Sequence, residues 1–182
     1  TEEVTRTDLA REMLYVGSGL DISYGQEDIQ QKGHSIEFRI NAEDPMNNFQ
    51  PAPGRIARYA EASGPGIRID SGVYPGFTIP PYYDSMVAKL IVWGENREFA
   101  LESGKRALWE MQVSGVRTNI PFHEVVLHHP NFISGDYSTS FIPKYNIMEK
   151  VVEYFKEKKA QQGGSQKAAA MAAVQAVIAG AS

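Results

Sequence analysis

Gly33-His34-Ser35-Ile36-Glu37-Phe38-Arg39-Ile40-Asn41-Ala42-Glu43-Asp44-Pro45 decides how the rest of the chain is read. From His34 to Ala42 apolar and polar residues alternate. Ile36, Phe38 and Ile40 fall on one side and Glu37, Arg39 and Asn41 on the other, the two-residue period of a strand with one buried face. Downstream, Gln50-Pro51-Ala52-Pro53-Gly54 turns the chain into a second expected strand, Arg55 to Tyr59.

Further turns follow at Gly64-Pro65-Gly66 and Tyr74-Pro75-Gly76, with a short strand from Ile67 to Asp70 between them. Met86 to Trp93 is apolar enough for a central strand. Asn96 caps a helix expected to run to about Gln112, with Leu101, Gly104, Leu108 and Met111 inward and Arg97, Glu98, Glu102 and Lys105 outward. Gly115 ends that connection, and Pro121 opens a further helix to Leu127. Upstream, Asp8 to Gly17 reads as a helix with Leu9, Met13 and Val16 on one stripe. Ile147 to Lys159 reads as a charged amphipathic helix, and Gln161-Gln162-Gly163-Gly164-Ser165 has linker composition. Lys167 to Ile178 is Ala-rich, and reads equally as a docking helix or as a passive tail. The expected class is α+β: a small antiparallel sheet with packed helices.

The 182 residues suffice for one domain with a core plus flanking segments, and a start at Thr1 reads as a cut from a longer polypeptide. With 18 basic and 22 acidic residues the net charge is −4, which gives nucleic-acid binding no support. The chain has no cysteine, so disulfides, thiolate nucleophiles and Cys-based metal sites are excluded within it. No apolar stretch is long enough to span a bilayer, and a soluble protein of the cytoplasm or an organelle matrix is expected.

Few residues stand out for chemistry. Periodicity alone reads Arg39 as a partner of Glu37 or Asn41 on a solvated face. Asp84 follows Pro80-Pro81-Tyr82-Tyr83, a stiffened segment that suits either a carboxylate held against the Arg39 strand or a turn cap. Tyr82 and Tyr83 are expected to pack in a core or interface rather than to react. His34, His123, His128 and His129 lack metal-ligand spacing and are read as structural, so no metal site is expected. No phosphate loop or nucleophile elbow is present.

The 33–45 run is similar to the signature that opens the C-terminal domain of biotin carboxylases. Pro53-Gly54-Arg55-Ile56, Pro80 through Ile91, Gly94-Glu95-Asn96-Arg97 and Gly115-Val116-Arg117-Thr118-Asn119 follow in that family's order. The resemblance covers Thr1 to about Pro143. It implies a division into the end of an ATP-grasp domain (1–30), the biotin carboxylase C-terminal domain (31–145), and a terminal helix, linker and Ala-rich tail (146–182). The catalytic stretch that precedes this region in the family is absent, as is the biotinyl lysine motif.

The resemblance further implies an ATP-dependent ligase that uses Mg2+ and bicarbonate to carboxylate biotin on a separate carrier, with the metal ligands and ATP lysines outside this chain. It assigns Arg39 the catalytic role of stabilising charge on biotin's ureido oxygen, supported by Glu37, Asn41 and Asp84. Ser138 to Ile142 resembles a segment that contacts adenine, which makes Phe141 a nucleotide-binding candidate; sealing the core is the equal alternative. Arg68 lies where bacterial members place a dimer-interface arginine, but Pro65 departs from the aromatic residue that some members carry nearby, and an exposed strand arginine is the alternative reading. The implied partners are the N-terminal part of the enzyme, a biotin carboxyl carrier protein and a carboxyltransferase, in a homo-oligomeric parent. Acetyl-CoA, propionyl-CoA and pyruvate carboxylases share this module, so the final CO2 acceptor stays open. A noncatalytic docking or oligomerisation fragment is the alternative.

Overall fold

The computed structural model describes residues 1–158 and 160. Its centre is a three-stranded antiparallel sheet in which Met86–Gly94 lies between His34–Asn41 and Ile67–Ser71. The alternation in the first of these strands is realised directly: Phe38 and Ile40 are buried while Glu37 and Arg39 are exposed. Opposite them, Leu90 and Val92 of the central strand are fully buried. Each such side chain contributes roughly 1.5–3 kcal/mol over leaving it in water.

The apolar face is covered by the helix Arg97–Glu110, capped by Asn96, whose side chain accepts from the Phe99 N–H at 3.1 Å. This helix comes close because Gly104 faces the Phe38 ring, where an added Cβ would stand 3.0 Å from Cζ. Leu101, Leu108 and Leu127, the last on the helix Ile120–Leu127, complete the core. A second, smaller cluster joins Phe141, Ile147 and Val151 with Phe122, Val125 and Phe132.

Three sequence expectations need correction. The Arg55–Tyr59 strand is two short ones: Gly54–Arg55 pairs with Thr78–Ile79, and Arg58–Ala60 pairs with Gln112–Ser114. The break falls at Ile56, buried in the core, and the second pair depends on Gly115 at φ +96, whose Cβ would collide with the backbone of Arg55 and Ala57. Arg97 does not face outward. It donates to the carbonyls of Ile133 and Phe132 and to His34 Nε2, and it lies over the Phe132 ring. Tyr82 and Tyr83 are 86% and 84% exposed, so of the two places expected for them, core or interface, the core is excluded. Residues 81–84 form a turn exposed throughout.

The helix Leu9–Gly17 begins at Asp8, which accepts from the Arg11 N–H at 2.9 Å. Its apolar stripe, with Met13, Leu14 and Val16, is exposed. Residues 147–158 are helical, whereas the linker and Ala-rich tail lie outside the described residues.

Candidate functional site

Paired residues of an antiparallel sheet point to the same side, so the register determines what shares the face opposite the core. Arg39 pairs with Lys89, and Lys89 with Asp70. In the next row Glu37 pairs with Ile91, and Ile91 with Arg68. One surface therefore carries Glu37, Arg39, Arg68, Asp70 and Lys89. A hollow of about 870 Å³ lies over the Glu37–Arg68 row, closed by Glu2, Glu3, Val4 and Leu9 from the N-terminal segment. The lining reaches Lys89 and Asp70 of the Arg39 row, with Arg39 itself just outside it.

The backbone at Arg39 is held from the neighbouring helix. Its carbonyl accepts from Asn119 Nδ2 at 3.0 Å and contacts His123 Nε2 at 3.1 Å. A carbonyl can only accept, so the His123 proton sits on Nε2. Burial pushes the His123 pKa down, partly opposed by that hydrogen bond and by Glu43. These contacts fix where the side chain starts, while the guanidinium itself projects outward.

That guanidinium meets Asp84, with Arg39 Nη2 to Asp84 Oδ2 at 3.8 Å and side chains 56% and 62% exposed. Asp84 Oδ2 faces Arg39, and its Oδ1 accepts from the Met86 N–H at 3.0 Å. The expected support from Asn41 is different in kind. Its Nδ2 donates to Glu43 Oε1 at 3.0 Å, its backbone N–H donates to Asn119 Oδ1, and its own Oδ1 is buried without a partner among the described residues. Asn41 thus steadies the strand after Arg39 rather than the guanidinium. Glu37 shares the face of Arg39 and lines the hollow.

Phe141 is 7% exposed, packed with His129, Phe132, Tyr137 and Tyr145. Its ring packs into the second core, which is the other reading that its sequence allows. Arg68 is held by Asp70 at 2.9 Å, Glu2 at 2.9 Å and Glu3 at 3.4 Å, which together raise its pKa. Among the described residues no group of three or more His, Asp or Glu is placed to hold a metal ion, and no helix is long and apolar enough to cross a membrane.

Asn119, His123, Glu43 and Ser85 escaped the sequence reading as site residues. Asn119, Glu43 and Ser85 each lie within one of the motif blocks, at 115–119, 33–45 and 80–91, which was the available signal.

Comparison with known proteins places this geometry. Residues 37–144 match the family model for the biotin carboxylase C-terminal domain. Biotin carboxylase 1 of Bacillus subtilis is 49% identical over 148 residues, covering 81% of this chain and 33% of that protein. The biotin carboxylase of Nostoc is 48% identical, covering 80% and 33%. The biotin carboxylase domain dimer of the Hydrogenobacter thermophilus 2-oxoglutarate carboxylase, in complex with MgADP, ADP and bicarbonate, superposes with TM-score 0.78 at 38% identity, covering 81% of this chain and 32% of that one. The chain spans about a third of the length of the curated relatives it matches.

Proposed function

Because the chain belongs to the biotin carboxylase C-terminal domain family, we propose that it is the C-terminal part of an ATP-dependent biotin carboxylase. The parent couples ATP cleavage, with Mg2+ and bicarbonate, to carboxylation of biotin on a separate carrier. Residues 1–30 are the end of its ATP-grasp domain and 31–145 its C-terminal domain. The cytoplasm or an organelle matrix is its compartment.

One observation carries the reading: Arg39 has its backbone carbonyl bonded by Asn119 and its guanidinium in the open beside a single carboxylate. A fixed cation with a planar fork of donors suits an oxygen that gains charge during reaction. Biotin, when bound, supplies a ureido nitrogen that becomes nucleophilic once deprotonated. Arg39 receives the charge that this places on the ureido oxygen. Asp84 is the counter-charge beside the fork, and Glu37 adds a second polar group on the same face.

The remaining wall belongs to the rest of the parent, which also carries the metal ligands. The exposed apolar residues Met13, Leu14, Val16, Leu20 and Ile22 favour the same view, since a surface of that kind is where a further domain packs. The chain alone is therefore inactive, and the carrier and a carboxyltransferase act with the complete, homo-oligomeric parent.

The test is carboxylation of free biotin by the complete protein with ATP, Mg2+ and radiolabelled bicarbonate. Label transfer that requires biotin supports the proposal. Bicarbonate-dependent ATP cleavage indifferent to biotin points instead to a related ATP-grasp carboxylase with another substrate.

A further inference from the structure

We infer that Glu43 is a positioning residue for the Arg39–Asp84 pair, acting through Ser85. The inference rests on the reading of Arg39 given above. An ion pair this exposed gains little from its own attraction, on the order of 0–1 kcal/mol, so it cannot fix its own geometry. At 3.8 Å it also sits at the outer edge of contact. Whatever holds Asp84 in place must come from its neighbours, and the segment before it contributes little, with Tyr82 and Tyr83 both exposed.

The anchor is the residue after it. The register between the two strands slips beside Asn41: Ile40 faces Ala88, but Asn41 faces Met86. Beyond the slip, Ser85 is tied to the Arg39 strand twice. Its carbonyl accepts from the Ala42 N–H at 2.7 Å, and its hydroxyl donates to Glu43 Oε1 at 2.7 Å. The same carboxylate oxygen accepts from Asn41 Nδ2 at 3.0 Å. One carboxylate atom thus joins the end of the strand that carries Arg39 to the start of the strand preceded by Asp84. Ser85 is buried, and hydrogen bonds to an ionised acceptor are about twice as strong as neutral ones, so this junction is stiff where the ion pair is soft. Releasing it lets Asp84 drift from Arg39 and frees the guanidinium to leave the direction in which it meets the ureido oxygen.

The test uses the complete enzyme and steady-state biotin carboxylation. Glu43→Ala lowers kcat about 10- to 100-fold, the loss expected when a reacting group shifts by about an ångström, while KM for ATP stays within about twofold. Glu43→Gln, which keeps the Oε1 acceptor, retains kcat to within about threefold. Glu43→Ala combined with Asp84→Asn is no slower than the slower single variant, because both act on one pair; a merely structural role would make the two losses multiply. Should Glu43→Ala fail to fold, Ser85→Ala removes only the hydroxyl and carries the same expectations. A wild-type kcat in Glu43→Ala, or in Ser85→Ala where that fails to fold, or losses that multiply, overturns the assignment of Glu43 alone. Absence of biotin-dependent turnover in the unmutated enzyme overturns the parent reading instead.

Discussion

Asn119 and Asn41 form a closed ring of hydrogen bonds: Asn119 Oδ1 accepts from the Asn41 N–H at 2.9 Å, and the Asn119 N–H donates to the Asn41 carbonyl at 3.1 Å. Asn119 thereby behaves as a one-residue strand added to the free edge of His34–Asn41. Its Nδ2 extends the pairing to the Arg39 carbonyl. The strand that presents Arg39 is an edge strand with its outer hydrogen-bonding row partly filled by a side chain.

Removing that side chain strands the Asn41 N–H, while the Arg39 carbonyl keeps His123 Nε2. Asn119→Ala is expected to destabilise the protein by about 1–3 kcal/mol, the cost of one unpaired part-buried donor. The shift of the urea midpoint checks this. A loss under about 0.5 kcal/mol would show that water replaces the amide.

Gly104→Ala sets two effects against each other. Helix propensity favours alanine by about 0.8–1 kcal/mol. The new methyl would stand 3.0 and 3.2 Å from the Phe38 ring and 3.3 Å from Leu127 Cδ1, an overpacking that costs typically 1–3 kcal/mol. The net expectation is a loss of about 1 kcal/mol, read as a fall in Tm; a rise in Tm would mean that the sheet yields.

His34 and His123 give the fold a pH dependence of one sign. Burial lowers the pKa of His34 and of His123 below the ordinary 6.5, with Arg97 adding to the effect at His34. The unfolded chain then binds protons more readily than the folded one, so these residues contribute stability that is present above pH 6.5 and is lost as pH falls below it. Urea midpoints should decline between about pH 7 and 5 beyond what carboxylates explain. The decline should shrink in His123→Gln, where an amide N–H takes over the bond to Arg39. An unchanged slope in that variant would exclude His123.

The strand bearing Arg39 was legible because one buried face imposes a period of two, and the central strand because it is buried almost throughout. The Asn96 cap and the Pro121 helix start were legible from local chemistry. What escaped depends on distant partners. Arg97 reads as a surface residue of its helix until carbonyls at Phe132 and Ile133 are brought beside it. Asn119 and Glu43 are ordinary polar residues until the fold sets them against Arg39, Asn41 and Ser85. Tyr82 and Tyr83 suggested a core or an interface by their size, and the exposed turn they occupy excludes the core.

The assignment of Arg39 is tested most directly by Arg39→Ala in the complete enzyme, comparing kcat for biotin carboxylation with the affinity for ATP. The cation acts on charge that develops during reaction, so kcat should fall by about 10²- to 10³-fold while ATP affinity moves by less than about threefold. A variant that carboxylates biotin at the unmutated rate, or that loses ATP affinity in proportion to its rate, would contradict it.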